Sequence, residues 1–339
     1  MREPAFWHRP HFSFLSQLLR PLGSLYGAIT ARRMLRKGCD AGIPVLCVGN
    51  YHVGGAGKTP TVLALTRVLR ELGETPVVLS RGYGGRLHGP VMVDAQRHTA
   101  TDVGDEPLMM ARDVLVAVAR DRVSGVALAK SQGATVILMD DGFQNPHIVK
   151  DASLIVIDSE RGLGNGKVFP AGPLRAPLKP QLSRTDALVI IGDGRAADAL
   201  AAEIASRDKP VLRARLKPDA ASVAQLLGKP VFAFAGIGDP GRFFRTLRGN
   251  RVNVVRERPF ADHHAFSKAE IDELLAQAKR EALTLVTTEK DLARLRDNGG
   301  VPDWAREIVP FGVKLEFDDP AYLRRFVGDC LFKAREKKL

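Results

Sequence analysis

The sequence predicts an α/β fold with three parts: an amphipathic N-terminal helix, a larger unit built on a mostly parallel sheet, and a smaller C-terminal α/β unit. Three observations carry this. Apolar runs of four or five residues recur along the 339-residue chain, separated by segments of helical spacing. At residues 45–62, VLCVGNYHVGGAGKTPTV, a glycine-rich loop joins one such run to a helix start. After Pro230 the strand–helix alternation begins again, as a second sheet requires.

The N-terminal segment, residues 1–40, contains Phe12, Leu15, Leu19, Leu22, Tyr26 and Ile29 at helical spacing, followed by Arg32, Arg33, Arg36 and Lys37. Pro21 is expected to kink or split the helix. A basic-ended amphipathic helix suits a membrane interface, and it equally suits packing on the protein's own core.

Residues 41–210 form the larger unit. Val45–Val48 reads as a buried strand, and Lys58-Thr59 opens a helix that continues through Thr61–Leu72. Strand, glycine-rich loop and helix in this order make a phosphate-binding loop, so the unit is P-loop NTPase-like. Residues Val53, Gly54, Gly55, Ala56, Gly57, Lys58, Thr59 and Pro60 are the expected nucleotide cradle. Backbone N–H groups face phosphate oxygens there and the helix N-terminus adds partial positive charge. Lys58 reaches the terminal phosphates and the Thr59 hydroxyl is a Mg²⁺ ligand. The pattern expects glycine at position 52, where this chain has His52.

Strand Pro76–Leu79 leads into SRGYGGR, which sets Arg81 and Tyr83 at the carboxyl end of a strand, where ligands bind in open α/β sheets. Asp102, Asp105 and Glu106 precede a helix that starts near Pro107; they serve as caps, or they hold a metal or accept a proton. Strand Val114–Val118 ends near Arg120. Strand Thr135–Met139 ends in Asp140-Asp141-Gly142-Phe143-Gln144, the carboxylate element that accompanies a phosphate loop at the metal. Strands Leu154–Ile157 and Ala187–Ile191 bracket a Gly/Pro-rich loop, 161–181. Its Lys167, Arg175 and Lys179 are placed to meet an anionic substrate.

Residues 211–339 are assigned to the C-terminal unit. Strands are expected at 211–216, 231–235, 252–256, 283–287 and 308–317, and a helix with a Ser267/Glu270 capping box follows the loop Asp262-His263-His264. Adjacent histidines point apart in an extended loop, which disfavours metal binding and favours an acid–base or orienting role for one of them.

Composition narrows the classes. Three unpaired cysteines exclude a disulfide framework and a structural zinc site. No apolar stretch is long enough to span a membrane, and no secretory signal is expected. The formal charge of +12 calls for a polyanionic partner. Nucleic acid is disfavoured because aromatic residues are only 6% and do not interleave with basic ones. A regulatory ATPase of the G-G-x-G-K-T type would carry an additional lysine where Tyr51 and His52 stand.

With VGNYHVGGAGKTP (48–60), SRGYG (80–84), VGDEP (103–107), DDGFQ (140–144), GPLR (172–175), FADHHAF (260–266) and TTEKD (287–291) in order, the chain resembles the tetraacyldisaccharide 4'-kinase (lipid A 4'-kinase) family. The resemblance implies ATP- and Mg²⁺-dependent phosphorylation of the 4'-hydroxyl of a lipid A disaccharide 1-phosphate precursor. It implies action on the anionic cytoplasmic face of the bacterial inner membrane, with no nucleic acid and no obligate protein partner. It also implies that the phosphate loop lacks its first glycine throughout the family. Asp105 is then the base, His263 its partner and Lys58 the charge stabiliser. Thr59, Asp140, Asp141 and Glu106 are the metal group; Arg81, Tyr83, Arg120, Gln144 and Arg175 are the substrate group. Asn145 and Ala176 depart from the His and Glu usual in the family.

Overall fold

The protein is described from a computed structural model over residues 4–8, 13–295 and 303–338. Phe12 lies outside the described residues.

Thirteen strands form two sheets among the described residues. They are β1 (Val45–Gly49), β2 (Pro76–Ser80), β3 (Val91–Met92), β4 (Leu115–Val118), β5 (Val136–Asp140), β6 (Ala152–Asp158), β7 (Ala187–Ile191), β8 (Val211–Pro218), β9 (Pro230–Ala235), β10 (Asn253–Pro259), β11 (Thr284–Thr288), β12 (Ile308–Phe311) and β13 (Val313–Phe317). The large sheet runs β13-β8-β7-β6-β1-β5-β2-β4-β3. All its pairings are parallel except at its two edges, β3 on β4 and β13 on β8. Its central strands are buried from end to end, because helices cover both faces. Side chains alternate between two apolar clusters. Cys47, Leu79 and Ile155 face one; Leu46, Val78 and Leu154 face the other, with Leu65 and Leu69 of the helix Lys58–Glu71. The small sheet, β10-β9-β11-β12, is wholly parallel and has its own apolar cluster on each face.

The C-terminal boundary differs from the sequence expectation. The strand expected at 308–317 is two strands broken at Gly312: β12 joins the small sheet and β13 returns to the large one. β8 also belongs to the large sheet. The small-sheet unit is therefore an excursion spanning roughly 219–312, and the helix Pro320–Glu336 comes back to the large sheet through Leu323, Val327 and Leu331. The two crossings are tied together. Asp219 N–H donates to the Gly312 carbonyl at 2.9 Å, and Gly312 N–H donates to Ser222 Oγ at 3.2 Å. A strand pattern read along the chain cannot see that consecutive apolar runs enter different sheets.

Pro21 splits the N-terminal helix as expected, into Phe14–Leu18 and Arg20–Met34. The face turned inward is the small-residue one. Ser16, Gly23, Gly27 and Met34 are buried, whereas Phe14, Leu15, Leu18, Leu22, Leu25 and Ile29 are each more than half exposed. The glycines permit close approach: a Cβ on Gly23 would stand 2.8 Å from the Val168 carbonyl oxygen. Ser16 Oγ donates to the Ala171 carbonyl at 2.7 Å, and Phe169 packs edge-on against both Trp7 and Tyr26. The long 161–181 loop is thus the platform on which these helices lie. Lys167 is spent there, with Nζ 3.1 Å from Ser16 Oγ. Among the described residues no helix is long and apolar enough to cross a membrane.

Candidate active site

The phosphate loop follows β1 as the sequence predicts. Gly57 caps the helix Lys58–Glu71 with φ +88°, and a Cβ there would meet Ile191 at 2.5 Å. Gly54 is also left-handed, at φ +104°. A Cβ on Gly55 would meet nothing within 4 Å, so the loop has open space on that side. His52 replaces the usual glycine without backbone strain, since its φ lies outside the left-handed region. It is buried and bridges to Leu174, and its Nδ1–H donates to the Val53 carbonyl at 3.0 Å.

The carboxylates at the end of β5 take different roles. Asp141 receives a two-pronged contact from Arg175, Nη1 to Oδ1 at 2.6 Å and Nη2 to Oδ2 at 3.0 Å, while Lys58 Nζ lies 3.9 Å from Oδ2. Burial pushes the Asp141 carboxyl up, but Lys58 and Arg175 outweigh it and hold it at about 2. Arg175 Nε also donates to the His52 carbonyl at 3.0 Å. Arg175 therefore braces the phosphate loop against Asp141 and is not free for a substrate headgroup, contrary to expectation. Asp140 is buried; its Oδ2 accepts from Ser80 Oγ at 3.3 Å and its Oδ1 has no partner among the described residues. Burial, with Glu106 and Asp141 close by, pushes Asp140 up to about 7.

Among the described residues no three carboxylate, His or Cys groups converge as a ready-made metal cage. Mg²⁺ beside a nucleotide needs only one or two protein ligands, with phosphates and water completing the octahedron. The orphaned Asp140 oxygen and the Thr59 hydroxyl at the helix start fit that role. Asp141 and Glu106 fit it less well, because both are already paired with cations.

The small-sheet unit completes the site. Gly104, at φ +92°, separates the helices Ala100–Val103 and Asp105–Met110, so Asp105 opens the second helix instead of lying in a loop. A Cβ on Gly104 would collide with the Tyr83 carbonyl oxygen at 2.5 Å. His263 Nδ1 donates to Asp105 Oδ2 at 3.1 Å, and its ring meets Tyr83 edge-on at 5.9 Å. Lys290 Nζ contacts Glu106 Oε1 at 2.9 Å, and Arg294 Nε contacts Asp105 Oδ2 at 2.8 Å. Burial pushes the Asp105 carboxyl up, but the His263 hydrogen bond, Lys290 and Arg294 carry it well below the usual carboxylate range. The second histidine, His264, is drawn away: its Nε2 lies 3.0 Å from Glu270 and its ring stacks on Phe260.

The structure brings Asp105, Glu106, Lys58, Asp140, Asp141 and His263 together around the loop. Arg81, Tyr83 and Arg120 stand exposed at strand ends, as expected. Gln144 does not face a ligand with its amide: both N–H groups are used, on the Asn50 carbonyl at 2.8 Å and on Gln181 at 2.9 Å. Asn145 Oδ1 accepts from His147 N–H, and Ala176 is fully buried. Neither departure leaves a side chain directed at the site. Sequence reasoning missed Lys290 and Arg294. Their signal is the i, i+4 spacing that sets both on one helical face beside TTEKD.

Comparison with known proteins agrees with this geometry. The family model for tetraacyldisaccharide-1-P 4'-kinase (LpxK) matches residues 15–331. The chain belongs to the tetraacyldisaccharide-1-P 4'-kinase family. A protein of Bradyrhizobium diazoefficiens named tetraacyldisaccharide 4'-kinase is 77% identical over 338 residues, covering 100% of this chain and 99% of its own length. One of the same name from Nitrobacter winogradskyi is 65% identical over 99% of both. A crystal structure described as the "apo" form of LpxK from Aquifex aeolicus in complex with ATP superposes with a TM-score of 0.72 at 25% identity, over 94% of this chain and 100% of that one.

Proposed function

We propose that the chain transfers the γ-phosphoryl group of ATP to the 4'-hydroxyl of a tetraacylated disaccharide 1-phosphate, the step its family performs in lipid A biosynthesis. The observation that carries the mechanism is the contact of Asp105 with His263 across the two units, beside a phosphate loop bearing Lys58. A sugar hydroxyl is too weak an acid to attack phosphorus without losing its proton, so a positioned acceptor is required. The Asp105–His263 pair supplies it. Nδ1–H already donates to Asp105, so the proton passes to His263 Nε2; Asp105, expected as the base, stays ionised beside Arg294 and Lys290 and stabilises the imidazolium. Lys58 stabilises the charge on the transferring group. Thr59 and Asp140 would hold Mg²⁺, which supplies charge neutralisation at the phosphates. Arg81, Tyr83 and Arg120 line the approach for the anionic headgroup.

Placement on the cytoplasmic face of the inner membrane is supported by the apolar face of Phe14, Leu18, Leu22, Leu25 and Ile29, which is exposed among the described residues, and by the exposed Arg32, Arg33, Arg36 and Lys37 that follow it. Apolar insertion plus basic contact with anionic headgroups is the pattern of an interfacial helix.

Transfer of ³²P from γ-labelled ATP to a tetraacyl disaccharide 1-phosphate, with and without Mg²⁺, tests the reading. Labelled product at the 4' position is expected. A folded protein that hydrolyses ATP without labelling the lipid would refute it.

A further inference from the structure

We propose that Arg294 and Lys290 are positioning residues that hold Asp105 and His263 in line as the proton-accepting pair. This rests on the reading of Asp105 and His263 given above.

Arg294 leaves its helix, Glu289–Arg294, with its donors directed three ways. Nε donates to Asp105 Oδ2 at 2.8 Å, with Nη2 in ion-pair contact at 2.7 Å; Nη1 donates to Asp291 Oδ1 at 2.6 Å and to the Gly236 carbonyl at 2.7 Å. Both side chains of the Arg294–Asp105 pair are 7% exposed. The Gly236 carbonyl also accepts from His263 N–H at 3.1 Å. One guanidinium thus grips the carboxylate directly and the histidine through a shared carbonyl. His263 has φ +56°, a conformation that costs a bulky residue energy and persists only where its surroundings impose it. The turn is itself anchored: Asp291 accepts from Gly236 N–H at 3.0 Å and from Thr288 Oγ1 at 2.8 Å.

Lys290, one turn earlier on the same face, sets its ammonium 2.9 Å from Glu106 and 3.9 Å from Asp105. Without it, Glu106 would stand as an uncompensated charge next to Asp105 and close to Asp140. The phosphate-loop unit therefore holds a cluster of four acids, Asp105, Glu106, Asp140 and Asp141, with Lys58 and Arg175 serving only Asp141 at contact distance. The cations that neutralise the other side of the cluster come from the small-sheet unit. The unit that brings His263 to Asp105 therefore also brings the cations that balance the acids and hold the pair in line.

The test is steady-state kinetics on the full chain with the lipid acceptor. Arg294→Met should lower kcat roughly 10- to 100-fold while the KM for ATP moves less than about threefold, because misalignment falls on the reacting atoms and not on the cradle. Lys290→Met should lower kcat roughly tenfold by the same split. In an Asp105→Asn background, adding Arg294→Met should cost clearly less than it does alone, because the carboxylate it grips is gone and only its hold on the Gly236 carbonyl and Asp291 remains. Unchanged kcat in both single variants, or full additivity with Asp105→Asn, would overturn the proposal. Should Arg294→Met fail to fold, Lys290→Met decides alone, since its ammonium touches only the two carboxylates. A wild-type protein that does not phosphorylate the acceptor would instead refute the function itself, so the two failures are distinguishable.

Discussion

His52 gives the phosphate loop a pH-dependent stability that a glycine could not. The residue is 6% exposed; Nδ1–H is bound to the Val53 carbonyl and Nε2 has no partner among the described residues. Burial, aided by the cations Lys58, Arg175 and Arg161, lowers its pKa from 6.5 to about 4. Between those values the unfolded chain binds a proton that the folded chain refuses, so stability rises with pH across that window. The contribution is fully present above the unfolded value and is lost as pH falls toward the folded one. Fully expressed, the shift is worth about 3 kcal/mol, of which about 2 kcal/mol is gone near pH 5. The perturbation is His52→Gln, which stays neutral throughout. Denaturant midpoints for both proteins near pH 7.5 and near pH 5 give the comparison, and carboxylates common to both cancel. Wild type should lose about 2 kcal/mol more than the variant on acidification. Equal losses would show that the ring is solvated or paired in the folded protein and would refute the argument.

Three further outcomes are expected. Lys58→Met should lower phosphoryl transfer roughly 10²- to 10³-fold, with an unchanged circular dichroism spectrum. Arg175→Met leaves Asp141 with Lys58 alone and frees the His52 carbonyl. It should cost about 1–2 kcal/mol in chemical denaturation, below the 3–5 typical of a fully buried pair because Asp141 is a third exposed. Leu18→Ser with Leu25→Ser removes two exposed apolar side chains without touching the buried small-residue face. Vesicle sedimentation should show a loss of about 3 kcal/mol, or roughly a hundredfold in partitioning, while activity on a detergent-dispersed acceptor persists.

What could be read in advance was local. A buried parallel strand, a glycine cradle and a helix start are adjacent in the chain, so residues 45–62 announce their own structure. The same holds for the Asp pair ending β5 and for the break at Pro21. Other features depended on which element meets which. The apolar run at 308–317 has the right composition for one strand, and only the pairing of β13 with β8 shows that it serves two sheets. Arg175 and Gln144 had the chemistry of ligand contacts, and internal acceptors took up that chemistry. Periodicity identified the N-terminal segment as apolar on one side, but the side that packs was chosen by glycine, not leucine. Close backbone approach over Val168 and Pro177 needs small residues, and the large ones are left outward.

The N-terminal helices and the phosphate loop bear on each other. The helices Phe14–Leu18 and Arg20–Met34 lie on the 161–181 loop, and the same loop carries Arg175 to Asp141 and to the His52 carbonyl. The exposed apolar face proposed to dock on the membrane is thus one short, hydrogen-bonded segment away from the phosphate loop. Under that proposal, an acceptor whose acyl chains stay in the bilayer while its sugar meets ATP would have the height of the cradle above the headgroups set by this arrangement. The distance is set by packing of Ser16, Gly23 and Gly27, not by a flexible tether. Enlarging Gly23 to leucine would lift the helix off Val168 and change that height. The apolar face would remain intact, so transfer to membrane-embedded acceptor should fall while vesicle binding holds.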